Sequence, residues 1–222
     1  MEIDVLVGSI GGPLGDDVQV LSRAERATVT RLRCERDRRA HIAGRSIVRR
    51  RLALETASLP ADVPLEIDSR GRPTSAAGPR FSIAHAGELV AVAFAPCAVG
   101  VDVEPLVAIE DVDLLIGLYA SGSERTVLRS LPRPRRDWAF LNAWVRKEAI
   151  LKAAGTGITG DLTQVDTQFD VVEIQARRWR VVTLPHLCAG YVAAVAVANA
   201  VESSLNVAVL PAPFAKLPEA AS

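Results

Sequence analysis

The chain has 222 residues, about half of them hydrophobic and 23% charged, which suits one domain or two small ones and is too apolar for disorder. Basic and acidic residues balance at 26 each, so no global field draws the chain to nucleic acid or to a membrane surface. Cys34, Cys97 and Cys188 are far apart, odd in number and free of CxxC spacing, which argues against a disulfide framework and against a zinc site. The start, MEIDVLVGSIGG, is acidic and alternating, unlike a secretion signal, and the apolar stretch 187–201 is too short to span a bilayer. A cytoplasmic setting is the expectation.

Residues 2–8, EIDVLVG, alternate as a strand does, and GGPLGDD interrupts them. Ser22 stands three residues before Glu25, the spacing of a capping box. From there to about Leu59 the pattern is helical, as two helices or one bent near 34–37. Ile47, Val48, Leu52 and Leu54 supply its apolar positions. Eleven arginines lie between Arg23 and Arg51, and most are expected on a solvated helix face. VPLEID (63–68) reads as a short strand, SRGRP (69–73) as a turn, and residues 80–96 as a hairpin with HAGE at its corner. VGVDVEP is a strand ended by Pro105.

Residues 111–130 read as a loop and a short helix. A helix from about Asp137 to Ala154 should stop at Gly155, a residue suited to a left-handed C-cap. Strands follow at 169–174, 178–184 and 190–198. The segments GELVAVAFA (87–95) and GYVAAVAVA (190–198) resemble each other. The expected fold is therefore α+β: two similar subdomains, pseudo-twofold related, each a long helix packed on a small, mostly antiparallel sheet. The division reads as 1–104, 105–210 and a loose Pro/Ala-rich tail, 211–222.

In AVGVDVEPL, alternation places Val99, Val101 and Val103 on one face of the strand and Gly100, Asp102 and Glu104 on the other. Two carboxylates about 7 Å apart on one face repel unless a cation lies between them, and hard oxygen ligands of this kind suit Mg²⁺. A solvated edge strand would carry the same residues. Farther along, WVRKEAILK holds two of the chain's three lysines around one glutamate. On a helix Trp144, Glu148 and Lys152 form one stripe, and Trp144 with Phe140 and Leu141 draws that stripe toward the buried edge. Glu148 there could complete a metal site, with the Lys152 ammonium meeting phosphate oxygens.

GVDVE, followed about forty residues later by WVRKEAILKAAGTGI, resembles the two signature motifs of the 4′-phosphopantetheinyl transferases, GxDxE and WxxKEAxxK. GRP (71–73) and FSIAHAGELVAVA (81–93) look like the family's G-K-P turn and F-x-x-S-H-S segment, so the resemblance covers roughly residues 20–200. The length implies the larger, Sfp-type class, a pseudo-dimer in one chain that has no need to self-associate.

The resemblance implies transfer of the phosphopantetheine arm of coenzyme A to a serine of an apo acyl or peptidyl carrier protein, releasing adenosine 3′,5′-bisphosphate. Asp102, Glu104 and Glu148 would hold Mg²⁺, Glu148 would also accept the serine proton directly or through a bound water, and Lys152 would neutralise the departing bisphosphate. Lys147 is expected at the surface or at the substrate's edge. Glu124, in YASGSERTVL, resembles an acidic family residue that assists proton removal, or it caps the helix it opens. His85 is expected to touch a coenzyme A phosphate, Arg72 replaces the usual Lys of the G-K-P turn, and Arg39 and Arg45 are candidates for the 3′-phosphate. Ala84 and Ala86 stand where the family has Ser. The N-terminal subdomain would contact the nucleotide, and the C-terminal one would supply the metal-binding helix and the carrier side, with apolar residues of 106–120 available for docking.

Other readings compete. An inactive relative could bind only coenzyme A or a carrier, and another Mg²⁺-dependent phosphotransferase would need a nucleotide motif, yet no G-x-x-x-x-G-K-[ST] loop is present. The arginines of 23–51 have no aromatic residue among them, so nucleic-acid binding is not expected.

Overall fold

The computed structural model describes residues 1–157, 161–184, 187–198, 204–210 and 214. In chain order the first elements are β1 (Glu2–Ser9), α1 (Gly15–Gln19), α2 (Arg23–Arg31), α3 (Glu35–Thr56), β2 (Glu66–Ile67), β3 (Pro73–Thr74), β4 (Arg80–Ala86) and β5 (Leu89–Ala95). There follow β6 (Val99–Pro105), α4 (Val112–Tyr119), α5 (Gly122–Ser130), α6 (Arg135–Ala154), β7 (Val171–Ile174), β8 (Arg177–Thr183), β9 (Tyr191–Ala198) and β10 (Ser204–Leu210). They form two compact units, one of residues 2–96 with the described residues from 204 on, the other of residues 97–198 with Met1.

The first unit has a sheet of order β10-β1-β5-β4, antiparallel from β1 to β4 and closed by β10 running parallel to β1. The second has the antiparallel order β6-β9-β8-β7. Each follows one plan: a strand (β1 or β6), a long helix (α3 or α6), then strands that return so that β5 or β9 lies beside the first strand. The two units are thus similar α+β subdomains, each a long helix on a small, mostly antiparallel sheet. The look-alike segments 87–95 and 190–198 become equivalent strands, β5 and β9. Each is paired on both sides and almost wholly buried, hence a near-continuous Ala/Val run.

Local chemistry sets the element ends. Ser22 and Glu25 form the expected capping box, the hydroxyl accepting from Glu25 N and the carboxylate from Ser22 N. Gly155 stops α6 in the left-handed region at φ 72°. Residues 111–130 fold as two helices rather than one, because Ser121 and Glu124 make a second capping box that restarts the chain as α5. The first core gathers Ile47, Leu52, Val90, Val92 and Phe94, and the second Val145, Ile150, Trp179, Val181 and Ala194. Each such large side chain stabilises by roughly 1.5–3 kcal/mol when removed from water.

Several expectations need correction. The strand 99–105 pairs with β9 and so belongs to the second unit, whereas the sequence division ended the first subdomain at 104. Residues 204–210 pair with β1 and belong to the first unit, not to the subdomain 105–210. Most arginines of 23–51 keep contact with water, as expected, while Arg45, Arg49 and Arg51 of α3 are buried. Arg49 Nε donates to Glu25 at 2.6 Å and its Nη1 to the carbonyls of Pro60, Ala61 and Val63, so the guanidinium joins elements of the unit from inside. The tail expectation falls mostly outside the described residues. Phe214, however, is fully buried, its N–H donates to Asp17, and its ring fills the space that a side chain at Gly8 would need.

Candidate active site

The candidate site starts from a glycine. A Cβ at Gly100 would stand 2.0 Å from the Ala149 carbonyl oxygen and 2.5 Å from Ala153 N, so β6 lies directly against the backbone of α6 there. Strand alternation carries Asp102 and Glu104 onto the same helix-facing side. Along α6, toward its N-terminus, the chain offers Lys152, Glu148 and Trp144 in turn. Val101 and Val103, on the opposite face, are fully buried. The sequence's i, i+4, i+8 stripe and its i, i+2 strand pair therefore meet face to face.

Lys152 Nζ donates to Asp102 Oδ1 at 2.7 Å. Asp102 and Glu148 are buried, and Glu148 Oε1 has no hydrogen-bond partner. Burial pushes the Glu148 carboxyl above its ordinary range, Asp102 and Glu104 push it further, and Lys152 opposes them. Burial also raises Glu104, with Asp102 adding to the shift, while a hydrogen bond from the Trp144 indole and the Lys152 charge hold it down. Trp144 packs edge-on to Tyr119 at 5.2 Å and stacks with Phe140 at 6.3 Å between centroids. That aromatic support aims its N–H at the carboxylate.

Among the described residues no three His, Cys, Asp or Glu side chains are gathered as a ready-made metal cage. The donors nevertheless fit a hard divalent cation. All three are carboxylates, they feel one another's charge in a buried place, and one oxygen is an orphaned acceptor. Like charges brought together without a cation stay apart, and here only one ammonium stands among three acids.

Lys147 lies elsewhere than expected. It is 2% exposed, its ammonium 2.7 Å from Glu124 Oε2 and bonded to the carbonyls of Leu162 (2.8 Å) and Val165. Burial lowers its pKa, against the hydrogen bond and charge of Glu124. Glu124 accepts from Ser121 N and Lys147 through Oε2 and from Thr167 N and Oγ1 through Oε1. Its lone pairs are thus taken. Of the two roles considered for Glu124, the geometry is that of the helix cap.

The nucleotide candidates occupy the first unit. Arg39 donates to the carbonyls of Ile10 (2.5 Å) and Gly12, holding the loop after β1. Arg72 pairs with Asp68 at 2.8 Å across the 68–72 turn, on an exposed edge. Arg45 is buried, 3.8 Å from Glu25, with Nη1 lacking any hydrogen-bond partner. His85 is exposed on β4 and acts electrostatically on His41 of α3, whose pKa burial, Arg45 and His85 all lower while Glu25 raises it. His41 escaped the sequence reading; its signal was the four-residue spacing to Arg45 on one helix face.

Residues 98–200 match the family described as the 4′-phosphopantetheinyl transferase superfamily, a segment that carries both β6 and α6. A 4′-phosphopantetheinyl transferase of Nostoc sp. is 33% identical over 156 residues, covering 65% of this chain and 64% of its own length. One from Bacillus pumilus is 31% identical over 147 residues, covering 64% and 61%. A third relative, from Synechocystis sp., is 27% identical over 180 residues, covering 76% and 73%. The chain thus spans a little under two thirds of the first two. The holo-[acyl-carrier-protein] synthase of Thermotoga maritima aligns with 46% of the chain at TM-score 0.34 and 21% identity, too loosely to carry an argument. No helix among the described residues is long and apolar enough to cross a membrane.

Proposed function

We propose that this chain transfers the 4′-phosphopantetheine arm of coenzyme A to a serine of an apo acyl or peptidyl carrier protein, releasing adenosine 3′,5′-bisphosphate, and that it is of the Sfp-type class. The observation that carries the proposal is the convergence of Asp102, Glu104, Glu148 and Lys152 on the β6–α6 face of the superfamily segment. Asp102, Glu104 and Glu148 would hold Mg²⁺, which supplies charge neutralisation of the pyrophosphate when bound. Glu148, with its carboxyl raised and one oxygen unengaged, accepts the serine proton. Lys152, about a third exposed, exchanges its bond to Asp102 for the phosphate oxygens of the leaving bisphosphate.

Support for a nucleotide phosphate in the first unit comes from the unengaged Arg45 Nη1 and from His41, which feels the charges of both Arg45 and His85. Arg39 and Arg72 already serve loop and turn, and contribute at most a peripheral charge. On the carrier side, α4 buries Val112 and Ile116 while Leu114 and Leu118, one turn apart, stay exposed with Leu106 and Val107. These four are the exposed apolar side chains offered to the carrier for docking.

Incubation with coenzyme A, Mg²⁺ and an apo carrier protein, followed by mass spectrometry of the carrier, tests the proposal. The expected result is a gain of one phosphopantetheine on the carrier serine. Unmodified carriers from fatty acid, polyketide and peptide synthesis alike would overturn it.

A further inference from the structure

The proposed reaction leaves the buried Lys147–Glu124 pair without a task. We propose that Lys147 is a positioning residue: its ammonium, gripped by Glu124 and by the carbonyls of Leu162 and Val165, fixes the rotation of α6 that turns Glu148 toward Asp102 and Glu104. The inference rests on the transferase reading above and deepens it.

Consecutive helix residues point about 100° apart, so Lys147 and Glu148 look in different directions from one turn of α6. On the strand side, α6 is located by Gly100, whose missing side chain admits the backbone at Ala149 and Ala153. That contact sets the separation of helix and strand, and the side chains that meet across it, Lys152 on Asp102 and Trp144 on Glu104, are those of the site itself. Resistance from outside the site comes from buried Arg146, bonded to Thr167, Phe169, Asp170 and Thr183, and from Lys147. Three acceptors surround its ammonium, matching its three donors. They belong to two separate pieces of chain, the first turn of α5 and the turn Leu162–Gln164 with Val165.

Glu124 cannot swing to follow a moving lysine, because Ser121 and Thr167 hold both its oxygens. A roll of α6 would therefore break all three lysine contacts at once. A leucine at 147 would fill the space with a smaller desolvation cost; what a buried ion pair adds is direction. Trp144, one turn earlier, lines the same small cavity as Lys147 and Glu124, so the helix turn that supports Glu104 is braced from the same side.

The test uses Lys147→Met and the double variant Lys147→Met/Glu124→Gln, read by melting temperature, by Mn²⁺ binding in electron paramagnetic resonance without carrier, and by transfer kinetics. Lys147→Met should melt lower, bind Mn²⁺ about tenfold more weakly and lose about tenfold in kcat, with KM for coenzyme A within about twofold, as expected for a partner behind a ligand. The double variant, with no buried charge left alone, should regain melting temperature but not Mn²⁺ affinity. A merely structural lysine predicts the opposite: both recover together in the double variant, or Lys147→Met measured well below its melting point binds Mn²⁺ like the wild type. Either result overturns the inference, as does a wild type that binds no Mn²⁺. If the single variant does not fold, the double variant alone decides. A wild type that binds Mn²⁺ but modifies no carrier refutes the transferase reading only, and the binding data still judge Lys147.

Discussion

Both units lay a long helix over a sheet whose inner strand is written in Ala and Val, yet they gather opposite charges. Around α3, Glu25 answers Arg45 and Arg49, and Asp4 and Glu55 answer Arg51, leaving one buried guanidinium nitrogen, Arg45 Nη1, without a partner. Between β6 and α6 the balance is reversed: three carboxylates share one ammonium, and Glu148 Oε1 has no partner. Around α3 a buried donor is left over, and between β6 and α6 a buried acceptor. Compensated buried charge organises a fold, whereas an uncompensated cluster is a place prepared for a ligand.

The sharpest way to break this comparison is to remove the acids. Asp102→Ala and Glu148→Gln should each lower transfer by roughly 10³-fold, equivalent to about 4 kcal/mol of transition-state stabilisation, with circular dichroism unchanged. Wild-type turnover by either variant would show that the acid cluster is ornamental. The two close helix–strand contacts should separate next. At Gly100 an added methyl meets backbone atoms at 2.0 and 2.5 Å, so Gly100→Ala should cost about 3 kcal/mol. At Gly44 of α3 it meets the Ile83 methyl at 2.8 Å, which can shift, and a helix prefers alanine, so Gly44→Ala should cost less than about 1 kcal/mol. Paired denaturant titrations measure both.

Smaller effects sharpen the contrast. Without metal at neutral pH, Glu148→Gln removes one of three repelling charges, and should raise the melting temperature by about 2–4 °C, the effect of roughly 1 kcal/mol in a chain of this length. Added Mg²⁺ should reverse the order of the two proteins. In the first unit, His41 titrates below the ordinary histidine range because of burial and the neighbouring Arg45 and His85, with Glu25 opposing. The unfolded chain therefore takes up the proton first, and the stability His41 contributes above pH 6.5 is lost as pH falls toward its folded value. Thermal melts at pH 7.5 and 5.5 should show His41→Gln losing less stability on acidification than the wild type, by under about 1.4 kcal/mol.

What the sequence revealed depended on how local the cause was. The Gly155 stop, the Ser22 capping box, the 80–96 hairpin and the strand bearing Asp102 and Glu104 rest on neighbours within a few residues, and all could be read. The stripe of Glu148 and Lys152 was legible because helical spacing alone aligns it. By contrast, Arg49 looks like any solvated arginine until Glu25, 24 residues away, and three loop carbonyls close around it. Lys147 misled for the same reason, since its partners Glu124, Leu162 and Val165 come from other elements. Strand β10 joins β1 across some two hundred residues, and Phe214 plugs the space over Gly8 from a Pro/Ala-rich segment with no pattern of its own.

The most direct measurement follows a paramagnetic divalent ion into the protein. Mn²⁺ titrated into wild type should reveal a single saturable site, weakened at least about tenfold in Glu148→Gln and in Asp102→Ala. A wild type without such a site, or variants that bind as tightly as their parent, would contradict the idea that strand and helix acids share one ion.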